Sequence, residues 1–155
     1  MRINVEFESK GEIKLPIHYN YFIQSMIYKT IEDKVFTTFL HDKGYEINLK
    51  SFKLFSFSRL EGKYEIVNID SQKYIIFDKK VSLIVSSPID DFIEKFSTGL
   101  LKAEKIHLKD NELNLVSADI HKRQFSKYDY KIKMLSPICA YKTIKIQKKD
   151  DRHYY

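Results

Sequence analysis

The sequence predicts an α+β domain with the element order βαββαβ, and three observations carry that expectation. Residues 2–9 and 112–121 alternate apolar and polar side chains, the two-residue period of a half-buried strand. Asn20 to Ile31 and Ile89 to Leu101 instead repeat apolar residues at the three- and four-residue spacing of a helix with one buried face. Between the two helical patterns lie short runs rich in aromatic and β-branched residues, with Gly62 as a turn.

The first strand sets Ile3, Val5 and Phe7 against Asn4, Glu6 and Glu8. Gly11 and the segment LPIHYN then turn the chain into the first helix. There Tyr19, Phe22, Ile23, Met26, Ile27 and Thr30 form the stripe expected to be buried, with Tyr21, Gln24, Ser25 and Tyr28 on the other side. At about 100° per residue, Tyr28 points roughly opposite to the centre of the stripe. Packing therefore gives no reason for a phenol at that position.

A second, short helix is expected to take Asp33 as its N-cap, bury Val35, Phe36, Phe39 and Leu40, and end at Gly44. His41 falls in its last turn and off the apolar side. The negative end of a helix dipole favours an imidazolium there, and histidine is the side chain that titrates near neutral pH. A simple cap interaction accounts for a histidine at this position as well, and on sequence both readings stand.

Ser51 to Leu60, containing FKLFSFSRL, reads as the second strand, followed by strand-like pieces at Tyr64 to Ile69, Lys73 to Phe77 and Val81 to Ser86 in a hairpin or meander. Ser87, Pro88 and Asp90 combine an N-cap, a proline at the first helical position and an early acid. The helix they open carries Ile89, Phe92, Ile93, Phe96 and Leu100 on one face. Glu112 to His121 closes the domain with Leu113, Leu115, Ala118 and Ile120 inward. Residues 1–122 thus read as one ferredoxin-like (RRM-like) domain, 123–130 as a polar basic linker, and 131–155 as the start of a truncated second ferredoxin-like domain. Pro137 marks an edge strand or a bulge in that last piece.

Composition narrows the function classes. No window approaches the roughly 18 apolar residues of a membrane span, and MRINVEFES is unlike a signal peptide. The single Cys139 excludes an intrachain disulfide, so a reducing cytoplasm is the expected compartment. His107, His121 and His153 stand isolated, and no GxxxxGK[ST] phosphate loop occurs. Neither a metal nor a nucleotide cofactor is expected. Residues 1–101 carry 14 basic and 14 acidic side chains, whereas residues 102–155 carry 13 and 7, so the whole net charge of +6 belongs to the C-terminal third. Such a surplus suits a polyanion partner, and equally a plain solvated surface.

LPIHYNYFIQSMIY, FLHDKG, FKLFSFSRL, SSPIDDFIEKFSTGLL and LSPICAY together resemble the CRISPR-associated endoribonucleases that process precursor CRISPR RNA, a family with tandem ferredoxin-like domains. The resemblance implies a catalytic set of Tyr28, His41 and Lys53 acting without a metal, and CRISPR repeat RNA as substrate. It implies attack by the 2′-OH on the scissile phosphate, leaving a 2′,3′-cyclic phosphate and a 5′-OH. Arg59, Lys122, Arg123 and Lys127 are candidate phosphate contacts, with a generic basic surface as the alternative. Other CRISPR-associated proteins are further expected partners.

The family's glycine-rich loop near the C-terminus has no counterpart, since no glycine lies beyond Gly99. The expectation is an N-terminal piece or a natural truncation that binds RNA weakly, cleaves poorly and pairs its open 131–147 edge in a homodimer. Two other readings stay open, a non-catalytic RNA-binding module and a structural subunit of a CRISPR ribonucleoprotein. For the module, the RNP1 pattern is missing, and Phe52, Phe55 and Phe57 read as core.

Overall fold

The computed structural model describes residues 1–47, 50–122, 143–145 and 152–154, and the chain divides into two units, Met1–Arg123 and Gln124–Tyr155. The first unit runs β1 (Arg2–Glu8), β2 (Ile13–Pro16), α1 (Asn20–Thr30), α2 (Lys34–Thr38), a wide π-type turn (Phe39–Lys43), β3 (Tyr45–Ile47), β4 (Lys50–Phe52), β5 (Ser56–Phe57), β6 (Tyr64–Ile69), β7 (Gln72–Phe77), β8 (Lys80–Ser86), α3 (Asp90–Lys102), β9 (Ile106–Leu108) and β10 (Asn111–His121). In the second unit β11 (Thr143–Lys145) pairs antiparallel with β12 (Arg152–Tyr154). Among the described residues no helix is long and apolar enough to cross a membrane.

The main sheet has the order β5-β8-β1-β10-β9, antiparallel throughout. With β1, β5, β8 and β10 as the four strands of the βαββαβ unit and α1 and α3 as its helices, this is the ferredoxin-like arrangement. The alternation of β1 explains its central place: Ile3, Val5 and Phe7 are buried, and each faces a partner on both neighbouring strands. Phe7, Phe77, Phe92 and Phe96 are fully buried, each contributing about 1.5–3 kcal/mol through removal of apolar surface from water.

The inward set of β10 spans a change of parity, and a bulge is its cause. Glu6 faces Ser117 while Phe7 faces Leu115, so Val116 is the extra residue. Leu113 and Leu115 before it, and Ala118 and Ile120 after it, then share a face. Ile120 is nevertheless 46% exposed, because β9 covers β10 only at Asn111–Leu113 and the far half of the strand is an open edge.

Other expectations need correction. The strand read across Ser51 to Leu60 is broken into β4 and β5, since Leu54 adopts a left-handed φ of 51° that no continuous strand accommodates. Val35 is 83% exposed; α2 turns only Phe36 toward the core, with Phe39 and Leu40 following in the π-type turn. The second main helix starts at Asp90, with Ile89 and not Ser87 in the N-cap position. The Ser87 hydroxyl instead accepts the Ile89 N–H at 3.0 Å and donates to the Leu54 carbonyl at 2.7 Å, tying the helix entry to the bend after β4.

In a second sheet, β2-β7-β6, the β6–β7 hairpin was expected but β2 was not, because Gly11 and LPIHYN read as a turn. Pairing settles it as a strand: Ile13 faces Phe77 and Leu15 faces Ile75, and all four are buried. Asn111 fastens this sheet to β10 by accepting the Lys14 N–H at 3.1 Å and donating to the Lys14 carbonyl at 3.0 Å. On the helix layer, Gly99 of α3 lies against the Thr30 carbonyl at the end of α1, where any Cβ would overlap that oxygen. The glycine permits the closest approach of the two helices.

Candidate active site

Three elements converge near the C-terminal half of α1. Phe55, in the bend between β4 and β5, is stacked on the buried Phe92 of α3 with ring centroids 4.7 Å apart and an interplanar angle of 17°. This anchored ring forms a wall for Tyr28, which meets it edge to face at 5.7 Å. Tyr28 is therefore half-buried and packed against the core, contrary to the outward position expected from helix counting. Its hydroxyl oxygen is shut off from water and has no hydrogen-bond partner among the described residues.

The π-type turn places His41 beside that phenol, with ring centroids 6.3 Å apart. Asp33 starts the segment as expected, its carboxylate accepting the Phe36 N–H at 2.9 Å. That hydrogen bond, with the Lys95 ammonium 3.0 Å away, holds the Asp33 carboxyl below the ordinary aspartate range. Gly44 ends the turn at φ 69°, its N–H bonded to the Phe39 carbonyl at 2.6 Å. A Cβ there would stand 2.6 Å from the Phe52 carbonyl oxygen, so glycine is required both by conformation and by space.

The His41 side chain is 76% exposed, with Nδ1 2.7 Å from an Asp42 carboxylate oxygen. The β3–β4 hairpin, in which Tyr45 faces Phe52, returns the chain toward the turn. Tyr45 meets Phe39 edge to face at 5.2 Å, and burial pushes its phenol up from the ordinary value. The Ser51 hydroxyl donates to the Lys43 carbonyl, and the Lys53 ammonium donates to the carbonyl of His41. The Tyr28 ring, the His41 imidazole and the Lys53 side chain are thus neighbours, with the Tyr28 hydroxyl buried.

The candidate phosphate contacts sit elsewhere. Arg59 lines a groove at the opposite end of α1. Lys122 is paired with Asp90 at 2.9 Å, which raises its own pKa and lowers that of Asp90. Arg123 and Lys127 lie outside the described residues. Sequence reasoning missed Asp42 as the partner of His41, although the adjacent pair in FLHDKG was a usable signal. It also took Phe55 for plain core, and nothing in the sequence marked it as a wall of the site.

Comparisons with known proteins show the family. The family described as CRISPR-associated protein Cas6, N-terminal, matches residues 14–119. Over 122 residues the chain is 30% identical to CRISPR-associated endoribonuclease Cas6 1 of Methanocaldococcus jannaschii, covering 77% of this chain and 45% of that protein. The chain therefore spans about half the length of this curated relative. A solved structure described as CRISPR associated protein Cas6 superposes with a TM-score of 0.62 at 30% identity, over 100% of this chain and 61% of that one. A Cas6-related protein from Pyrococcus furiosus shares the fold, with a TM-score of 0.67 at 19% identity over 100% and 61% of the two chains.

Proposed function

The chain belongs to the Cas6 family of CRISPR-associated proteins, and from that footing we propose that it is the Tyr28–His41–Lys53 half of an endoribonuclease that cuts CRISPR repeat RNA in precursor transcripts. One observation carries the reading: three residues separated in sequence, each suited to RNA cleavage, are neighbours in the fold. The curated relative is named for that activity.

In the proposed reaction a 2′-OH loses its proton as its oxygen attacks the adjacent phosphorus. The new P–O2′ bond replaces the P–O5′ bond, and the O5′ leaving group takes up a proton, giving a 2′,3′-cyclic phosphate and a 5′-OH. His41 handles one of these protons through Nε2, with Asp42 holding the ring at Nδ1; such proton transfer contributes typically 10²- to 10⁴-fold in rate. The Lys53 ammonium offsets charge that grows on the phosphorane oxygens. The Tyr28 hydroxyl, shielded from water in the free protein, orients the nucleophile or assists proton transfer once RNA binding opens the site around it. No step in this scheme needs a metal ion, and Arg59, Lys122, Arg123 and Lys127 are the proposed backbone contacts.

The test uses labelled repeat RNA in EDTA, with the 155-residue chain alone and fused to the C-terminal half of the M. jannaschii relative. Cleavage is expected to leave a 2′,3′-cyclic phosphate and to stop when the nucleotide 5′ of the cut lacks its 2′-OH. A 5′-phosphate product, or cleavage that survives the deoxy substitution, overturns the mechanism.

A further inference from the structure

A groove of about 370 Å³ opens at the N-terminal end of α1, between the helix entry, the Arg59–Leu60 loop and the hairpin of β6 and β7. Tyr28 is eight residues along the same helix from Asn20, so the groove lies about 12 Å along the axis from the candidate active site. Its volume falls within the usual range of ligand sites, about 300–1,000 Å³. Its shape is held from below, since the buried Tyr19 hydroxyl accepts the Leu60 N–H at 3.2 Å.

The two walls differ in chemistry. One carries Arg59, His18 and Asn20, all exposed, and no carboxylate lines the groove among the described residues. Among the described residues Arg59 makes no salt bridge. The other wall is apolar, with Ile75 at its base and Tyr64 and Ile66 standing 59% and 55% exposed on the outer strand β6. The Tyr64 ring is steadied by Phe77, with centroids 5.6 Å apart. Two large apolar side chains more than half exposed on an edge strand leave a hazard that proteins ordinarily remove. A guanidinium with no acidic partner among the described residues, lining the same groove as an exposed aromatic ring, fits a ligand that is anionic on one side and flat on the other.

We propose that this groove holds one unpaired nucleotide of a bound single-stranded RNA, its base against Tyr64 and Ile66 and its phosphate on Arg59. The inference rests on the RNA reading given above and adds a second point of contact at a defined distance from the scissile phosphate. Base stacking on an aromatic side chain is independent of base identity, so the groove grips a strand without selecting its sequence.

The test measures fluorescence anisotropy of a short labelled oligouridine with the 155-residue chain across a salt series. Tyr64→Ala is expected to weaken binding about tenfold and Tyr64→Phe to restore it, because a ring face is what stacking needs. Arg59→Ala is expected to weaken binding and lower the slope of log K against log salt by about 1. Melting curves matching wild type show that these exposed substitutions leave the fold intact. Wild-type affinity, within twofold, in both Tyr64→Ala and Arg59→Ala overturns the inference and leaves the RNA reading standing. No oligouridine binding by the wild type overturns both. UMP that binds as tightly as the oligomer overturns the strand as occupant.

Discussion

Tyr28→Phe removes a single oxygen, and the structure makes opposite predictions for stability and for activity. The hydroxyl is shielded from water with no hydrogen-bond partner among the described residues, while the ring it belongs to packs on Phe55. Burying a hydroxyl without a compensating bond costs about 1–3 kcal/mol. Phenylalanine keeps the edge-to-face contact and lifts that cost. Taking the lower end of that range, the variant gains about 1 kcal/mol. For a unit of this size that corresponds to a melting temperature higher by roughly 4 °C. Calorimetry of the two proteins at pH 7 measures the shift, and cleavage of repeat RNA under single-turnover conditions measures the loss, expected to be tenfold or more. A fall of 2 °C or more would show that the hydroxyl makes a bond in the free protein, and the argument for a phenol held in reserve for substrate would fail.

Gly99→Ala tests the helix contact. Alanine gains about 1 kcal/mol in helix propensity, yet its methyl would overlap the Thr30 carbonyl oxygen and lie 2.8 Å from the Thr30 carbonyl carbon. Separating two packed helices costs more than that gain, so the urea midpoint is expected to fall by the equivalent of about 2 kcal/mol, and a higher midpoint refutes the packing. Asp33→Asn tests the cap. The Asp33 carboxyl ionises at lower pH folded than unfolded, so its contribution is complete above about pH 4, the unfolded value, and is lost as acid takes the pH down through the native one. Asparagine keeps the cap geometry without the charge, so the melting temperature of the variant is expected to fall less steeply than wild type below pH 4; parallel curves contradict the assignment.

Where a residue's neighbours lie close in sequence, the sequence was readable. The cap at Asp33, the stop at Gly44 and the stripe of Phe92, Ile93, Phe96 and Leu100 all came from local spacing, and all are present. Strand β2 of the second sheet was missed for the opposite reason. Four residues at Ile13–Pro16 carry too little pattern, and only pairing with a strand some sixty residues away makes them one. Tyr28 was misplaced because a helical wheel knows a single buried face, whereas here Phe55 and the π-type turn cover a second one. The basic surplus was visible, and its place is sharper once the units are known. Met1–Arg123 holds 19 basic and 18 acidic residues against 8 and 3 in Gln124–Tyr155. At the site itself, Tyr28, His41 and Lys53 came from the family resemblance; Asp42 was legible beside His41 in FLHDKG but went unread, and only Phe55 needed coordinates.

The assignment of His41 as the proton-transfer residue is tested most directly by single-turnover cleavage of labelled repeat RNA by the fused protein and its His41→Ala variant, with the affinity of each for the same RNA measured separately. The account predicts a rate lower by about 100-fold or more in the variant at unchanged affinity. Cleavage at the wild-type rate by His41→Ala would contradict it.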